Sequence, residues 1–125
     1  MKRISVDGIC TIHERTLALY GGEPGTRDQG LLESSTMSPY QTFDGYDLYA
    51  TTPEKSSALI RSLIQNHPFV DGNKRTGMLA GLILLTINGY RFSTVSTEIE
   101  RVGFGVADGS IGLMDLNAWI NHIIT

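Results

Sequence analysis

The sequence predicts an all-α fold that includes one short β-hairpin, and three observations support this. Apolar residues recur at roughly helical spacing in the first, third and last of six candidate helical segments, most of which are separated by Gly, Pro or Asn. The longest apolar stretch, Gly77 to Ile87, lies in a segment that is apolar on nearly every side, as expected of a helix surrounded by other helices. Asp44-Gly45 lies between aromatic and β-branched residues, which is typical of a two-residue hairpin turn.

The first two helices are predicted on either side of a turn-rich loop. Apolar residues recur at roughly helical spacing from Ser5 to Tyr20, and Gly21-Gly22 ends this helix. The segment Gly21 to Asp28 is dense in turn-forming residues and predicts a surface loop. A phosphate-binding loop is the alternative there, but the segment lacks a preceding strand and a lysine. Gln29 to Met37 then predicts a short second helix.

The segment from about residue 39 to residue 51 predicts a mobile hairpin, which we call the flap. Its aromatic residues have helical spacing, but the Asp44-Gly45 turn interrupts them. We therefore expect a flap that holds a substrate segment by strand addition, with core packing of the aromatics as the alternative. The aromatic residues are Tyr40, Phe43, Tyr46 and Tyr49.

Four further helices are predicted after the flap. Proline disfavours the helical conformation in the residue before it, so Pro68 should end the third helix near His67. A short extended segment, Arg91 to Thr94, should follow the central helix. The four predicted helices are Pro53 to Asn66, Gly72 to Asn88, Thr97 to Ala107 and Asp115 to Ile124.

The bulk properties favour one domain, residues 1–125, in the cytoplasm. The chain has 125 residues, 41% of them hydrophobic, and a net charge of -3. Ten basic residues against thirteen acidic ones argue against nucleic-acid binding. The single cysteine, Cys10, excludes an internal disulfide framework, and no stretch resembles a signal peptide or a membrane span.

Residues 67–75, between two predicted helices, form the segment most indicative of chemistry. The free N–H groups at a helix start bind anions, and Gly72 lets a ligand approach the backbone closely. Lys74 and Arg75 add positive charge, and Asp71 could hold a magnesium ion that bridges phosphate oxygens. His67 has the pKa range of a general base.

Each of these residues also has a purely structural interpretation. Asp71 could only cap the helix, Asn73 could only brace the turn, and Lys74 and Arg75 could only be solvated. The concentration of all these groups around one helix start favours a site. Phe69 is expected to anchor the loop in the core, and His13 and His122 are expected to be ordinary helical side chains.

Residues His67 to Arg75 read HPFVDGNKR and resemble the Fic/Doc signature at every fixed position. YGGEPGTRD, LLES and NGY, which begin at Tyr20, Leu31 and Asn88, resemble the death-on-curing branch in the same order. The resemblance implies a compact bundle of six to seven helices with a flap over the active-site loop.

The resemblance also implies roles for the motif residues. His67 would be the base toward a target Ser, Thr or Tyr hydroxyl, and Asp71 would hold Mg²⁺. Lys74 would act in transfer. Asn73, Arg75 and the backbone around Gly72 would bind the phosphates of ATP.

Two departures favour a kinase over an AMP transferase. Lys74 stands where AMP-transferring relatives have glycine, and Met78 stands where they have a second arginine. The Doc-type toxin that shares this lysine resembles a protein kinase that transfers the γ-phosphate. The chain differs from that toxin at Gly72, where the toxin has alanine, and at Leu79, where it has asparagine.

The resemblance implies a toxin of a toxin-antitoxin pair, which would arrest translation with elongation factor Tu as a possible target. No inhibitory helix motif is found, and Thr94 to Glu98 and Ser96 to Glu100 each lack its last residue. Restraint is therefore expected from a separate antitoxin whose tail folds as a helix into a groove. The alternatives are an AMP transferase and a non-catalytic binding module of the same fold.

Overall fold

The computed structural model describes all of residues 1–125, and it confirms the all-α prediction with a small hairpin. Each predicted helix is present, with boundaries that differ from the prediction by no more than two residues. A short 3-10 helix, Ser38–Tyr40, was not predicted and links the second helix to the hairpin. The elements are α1 (Val6–Tyr20), α2 (Gln29–Met37), β1 (Thr42–Phe43), β2 (Tyr46–Asp47), α3 (Thr52–Asn66), α4 (Asn73–Ile87), α5 (Ser96–Asp108) and α6 (Leu113–Ile123).

Side chains cap the first three helices, whereas α4 has no side-chain cap. Ser5, Asp28 and Thr51 each accept a hydrogen bond from a backbone N–H in the first turn of the helix that follows. The N-cap of α4 is Gly72, which has no side chain to offer and adopts the left-handed conformation. The first N–H groups of α4 are therefore left available for another acceptor.

Helix α4 packs against α1, α3 and α5, which confirms its prediction as the central helix. Its closest approach is to α3: a Cβ on Gly81 would lie 2.3 Å from Cγ1 of Ile60. The Ser56 hydroxyl, also on α3, donates to the carbonyl oxygen of Gly81 at 2.7 Å. The absence of a side chain at Gly81 thus allows two helix backbones to come together and fixes the position of α4.

The buried apolar side chains form two clusters on either side of α4. One cluster joins α3, α4, α5 and α6, and the other joins α1, α2, α3 and α4 with Phe69. The first cluster is Ile60, Ile64, Met78, Leu82, Leu85, Val102, Val106, Leu116, Ile120 and Ile123. The second is Ile9, Leu32, Leu59, Leu63, Phe69, Ala80 and Leu84.

None of the helices has the length and apolar character that crossing a membrane requires.

The predicted flap contains a two-stranded antiparallel hairpin. Thr42 pairs with Asp47 and Phe43 pairs with Tyr46, and the turn residues Asp44 and Gly45 have φ of 53° and 81°. Two positive φ angles are what a type I′ turn requires, which explains the Asp-Gly sequence. The Phe43 and Tyr46 side chains are 78% and 77% exposed, so these two aromatics do not pack in the core.

The base of the flap is fastened to the start of α3. The buried Lys55 ammonium donates to the carbonyl oxygen of Tyr49 and contacts the Asp47 carboxylate at 3.3 Å. The Glu54 carboxylate accepts from the N–H of Ala50 at 3.1 Å. These contacts leave the tip of the hairpin projecting into solvent from a fixed base.

Candidate active site

The motif segment forms a loop, His67 to Gly72, that connects α3 to α4, and we call it the motif loop. Helix α3 ends at Asn66, as the proline at position 68 predicts. His67 has φ 48°, a left-handed conformation that is uncommon for a residue with a Cβ. The His67 side chain is exposed, whereas Pro68 and Phe69 are buried.

Phe69 anchors the motif loop in the core, as predicted. Its side chain is 2% exposed, and its ring stacks on the imidazole of His13 with 3.8 Å between centroids and 7° between planes. Asn73 braces the same residue: its side-chain oxygen accepts from the N–H of Phe69, and its amide nitrogen donates to the Phe69 carbonyl, both at 3.0 Å. The Asn73 side chain therefore holds the loop shape, and its backbone N–H at the helix start is the group available to a phosphate.

His13 is not the ordinary helical side chain that the sequence predicts. It is 4% exposed, and its Nε2 lies 2.8 Å from the carbonyl oxygen of Asp71. Because a carbonyl can only accept, Nε2 carries the proton and donates. Helix α1 thus supports the motif loop through one stacked and hydrogen-bonded histidine. The sequence carries no signal of this contact, because 58 residues separate the partners.

Asp71 directs its carboxylate toward two backbone N–H groups. The N–H of Glu23 donates to Oδ2 at 3.1 Å, and the N–H of Gly72 donates to Oδ1 at 2.8 Å. These hydrogen bonds, that from Glu23 first, lower the pKa of Asp71 below its usual value. The helix-cap interpretation of Asp71 does not hold, because the N-cap of α4 is Gly72. The result is an exposed, ionised carboxylate beside the start of α4.

A cavity of about 260 Å³ opens in front of the start of α4. Five of the six predicted site residues line it, and one wall comes from α5. His67 is not among the lining residues and lies at the opposite end of the motif loop. The lining residues are Asp71, Gly72, Asn73, Lys74, Arg75, Met78, Ile99, Glu100, Gly103 and Phe104.

The two cations of the motif are held by contacts that sequence reasoning missed. The Arg75 guanidinium stacks on the ring of Tyr20 at 4.3 Å and lies 4.0 Å from the carboxylate of Glu100. The Lys74 ammonium lies 5.0 Å from the ring centroid of Phe104. Each cation thus contacts an aromatic ring, and both residues line the cavity. Glu100 belongs to the near match of the inhibitory motif, Ser96 to Glu100.

The loop from Gly21 to Asp28 runs beside the motif loop and pairs with it. Thr26 and Phe69 form an isolated antiparallel bridge, and the N–H of Val70 donates to the Gly25 carbonyl at 3.0 Å. A Cβ on Gly22, which has φ 125°, would lie 2.9 Å from Oδ2 of Asp71. The turn-forming residues predicted a surface loop here, and the structure adds that the loop supports the site.

The site residues suit one magnesium ion bound through phosphates. No group of three or more potential metal-ligating side chains is present, so a closed protein cage for a metal is absent. Magnesium keeps several waters and is usually held by one or two carboxylates together with substrate phosphates. Asp71 supplies one ionised carboxylate next to an anion-binding helix start, which fits that mode of binding.

Comparison with known proteins agrees with these features. A family model described as the Fic/DOC family matches residues 3–85. The chain is 43% identical over 82 residues to toxin Doc of Mycolicibacterium smegmatis, and the match covers 66% of this chain and 62% of that protein. It is 29% identical over 113 residues to protein kinase doc of Escherichia phage P1, which covers 90% of this chain and 88% of that protein.

Proposed function

The chain belongs to the Fic/Doc family, and from this premise we propose that residues 1–125 act as a single-domain Doc-type toxin. The proposed activity is transfer of the γ-phosphate of ATP to a Ser, Thr or Tyr hydroxyl of a protein in the cytoplasm. The names of the two relatives, toxin Doc and protein kinase doc, support this choice. Elongation factor Tu is the target to test first, with arrest of translation as the consequence.

The observation that carries the proposal is the cavity at the start of α4. It gathers a free helix N-terminus, an ionised carboxylate and two cations within a single concave surface. Phosphoryl transfer needs mainly positioning and stabilisation of charge on the phosphate oxygens, and these are the groups that supply it. The proposed base, His67, is exposed at the other end of the same motif loop.

We infer the following roles for the cavity residues in binding ATP and magnesium. The first N–H groups of α4 and the Arg75 guanidinium bind the phosphates of ATP, and Lys74 offers a point charge to the terminal phosphate. A magnesium ion held by Asp71 would neutralise negative charge on those oxygens.

In the transfer step, His67 takes the proton of the target hydroxyl as its oxygen attacks the γ-phosphorus. The bond from the γ-phosphorus to the β–γ bridging oxygen breaks, and ADP leaves with that electron pair. The products are a phosphorylated protein and ADP.

Lys74 and Met78 favour phosphoryl transfer over AMP transfer. A lysine at position 74 occupies space that a glycine would leave open to the α- and β-phosphates, and it puts positive charge near a terminal phosphate. The Met78 side chain is 1% exposed and packs in the core. Position 78, where AMP-transferring relatives have their second arginine, thus carries an apolar side chain, and this side chain lines the cavity.

The test uses purified protein, elongation factor Tu and radiolabelled ATP. We expect label from γ-labelled ATP to appear on the target and label from α-labelled ATP to stay off it. Because the transferred groups differ in composition, mass spectrometry should show an added mass of about 80 Da rather than about 329 Da. Label from the α-phosphate would instead establish AMP transfer.

The matched variants are His67→Ala and His122→Ala, since both histidines are exposed. The first should abolish transfer and leave the thermal transition nearly unchanged, and the second should leave transfer unchanged. If the folded His67→Ala protein keeps full activity, His67 is not the base. Lys74→Gly should reduce γ-phosphate transfer.

A further inference from the structure

Arg27 lies in the loop between α1 and α2, and its guanidinium reaches the C-terminal end of α3. Its Nε–H donates to the carbonyl oxygen of His67 at 2.6 Å, and its Nη2 donates to the carbonyl oxygen of Asn66 at 2.8 Å. Two neighbouring donors of one planar group thus meet two successive carbonyls. This fork fixes the orientation of the backbone there, which a point charge would not do.

The two carbonyls belong to a helix end that has no other cation. The last carbonyls of a helix lack partners within the helix, and positive charge at that end is favourable. Helix α3 has no basic residue in its last turn, so Arg27 supplies this charge from elsewhere in the chain. The contact connects loop 21–28 to the residue at which α3 ends.

The conformation of His67 depends on its backbone contacts. The left-handed region is strained for a residue with a Cβ, so the surrounding structure must hold His67 at φ 48°. The imidazole is exposed and forms no hydrogen bond with the rest of the chain, so the backbone at His67 limits its position by setting the direction of the Cα–Cβ bond. A contact that fixes the His67 carbonyl therefore also fixes the direction in which the side chain leaves the backbone.

We propose that Arg27 is a positioning residue. Through the backbone of His67, it holds the imidazole toward the incoming hydroxyl. This inference rests on the proposed function, in which His67 is the base. Arg27 does not line the cavity at the start of α4, so its effect should fall on the transfer step rather than on binding of ATP.

Removal of the Arg27 side chain should leave the fold intact. The side chain is exposed, and the backbone attachment of its loop does not involve the guanidinium. The N–H groups of Arg27 and Asp28 both donate to the Pro68 carbonyl, at 2.8 and 3.1 Å. These two hydrogen bonds keep the loops together in an alanine variant, so a change in activity can be separated from unfolding.

The experiment compares Arg27→Ala and Arg27→Lys with the unmodified protein. Arg61→Ala is the control, because Arg61 is an exposed arginine on α3 that forms no ion pair. We expect Arg27→Ala to lower kcat by roughly 10- to 100-fold, the size of effect that a displaced catalytic group produces. The KM for ATP should stay within about twofold of its normal value, because the phosphate-binding groups are untouched.

Two rescue measurements separate positioning from general stabilisation. Arg27→Lys restores the charge but not the fork, so its kcat should lie between those of the alanine variant and the unmodified protein. Guanidinium chloride at non-denaturing concentration should raise the kcat of Arg27→Ala and should not raise that of His67→Ala. In NMR spectra, the backbone amide and ring signals of His67 should shift in Arg27→Ala and stay in place in Arg61→Ala.

The outcomes distinguish this inference from the proposed function. Full transfer by His67→Ala would remove the proposed base, and the role of Arg27 would fall with it. If His67→Ala is inactive while Arg27→Ala matches Arg61→Ala in kcat, the positioning role is wrong. An Arg27→Ala protein that loses kcat, ATP affinity and thermal stability together would show that loop 21–28 as a whole is destabilised. That result would equally overturn the positioning role.

Discussion

At the scale of single residues, the Asp71 carboxylate combines exposure with a lowered pKa. Backbone N–H groups of Glu23 and Gly72 stabilise its charged form. A carboxyl whose pKa is lower in the folded state contributes stability at neutral pH, and the contribution is lost as pH falls through that lowered pKa. The carboxylate therefore stays ionised in mild acid, where an unperturbed aspartate would begin to take up protons.

The prediction for Asp71 concerns magnesium. Asp71→Ala should lose transfer, and EDTA should have the same effect on the unmodified protein. Magnesium affinity, measured by calorimetry at pH 7 with ATP present, should fall in Asp71→Ala, because the variant lacks the carboxylate that the lowered pKa keeps ionised. Transfer that survives chelation would exclude Asp71 as a metal ligand.

The second residue prediction concerns His13, which joins α1 to the motif loop. His13→Leu leaves the buried side of the Asp71 carbonyl without its donor, so the free energy of unfolding should fall by about 1 to 3 kcal/mol. His13→Gln keeps an N–H donor and should recover part of this loss. Urea denaturation of both variants measures the difference. Equal stability of His13→Leu and the unmodified protein would show that the hydrogen bond contributes nothing.

At the scale of elements, hydrophobic periodicity together with turn and stop signals predicted all six helices. Several helix starts and ends were predictable because Gly21-Gly22, Pro53 and Pro68 act on their immediate neighbours, whereas the caps at Ser5 and Asp28 are findings of the structure. The Asp44-Gly45 turn was predictable for the same local reason. The 3-10 helix at Ser38–Tyr40 was missed, because it carries no periodicity of its own.

The candidate site was predictable only where its residues are contiguous. The motif from His67 to Arg75 carries its own signal, and five of its residues do line the cavity. The hydrogen bonds of His13 and Arg27 that support the motif loop join residues 39 to 58 positions apart in the sequence, and the contact of Tyr20 with Arg75 is similarly distant. Such contacts depend on how α1 and the loop after it pack against the rest of the chain, and no local pattern in one sequence records them.

The prediction at this scale concerns the packing of α4 on α3. In Gly81→Ala, the new Cβ would overlap Ile60, so the free energy of unfolding should fall by about 1 to 3 kcal/mol. Gly30→Ala is the control, because the nearest atom to its Cβ would be Oδ1 of Asp28, at 3.4 Å. That substitution in α2 should be neutral or stabilise by up to about 1 kcal/mol. Thermal denaturation of the two variants would decide the point, and equal melting temperatures would contradict it.

At the scale of the whole molecule, the feature that bears on restraint of the proposed activity is the pair Glu100 and Arg75. The chain has no complete inhibitory motif, and the near match on α5 places Glu100 at 4.0 Å from Arg75, with both side chains about half exposed. An exposed ion pair of this length is weak and yields readily to phosphate. Under the proposed function, restraint is therefore expected from a partner protein.

We predict that expression of the chain alone arrests growth and that co-expression with the product of an adjacent small gene relieves the arrest. The His67→Ala variant expressed alone is the control and should be harmless, because it lacks the proposed base. Growth curves after induction measure the effect. Normal growth with the unmodified chain alone, at confirmed expression, would argue against the toxin assignment.

The cavity in front of α4 takes its two sides from distant parts of the chain. One side is the motif segment, and the other consists of Ile99, Glu100, Gly103 and Phe104 on α5, about 25 residues further on. The predicted phosphate-binding groups belong to the first side, whereas the second adds two apolar side chains, a glycine and the Glu100 carboxylate. Exchanges on α5 can therefore reshape the compartment for a different donor or acceptor while the reacting groups keep their places, so selectivity and chemistry are free to diverge independently.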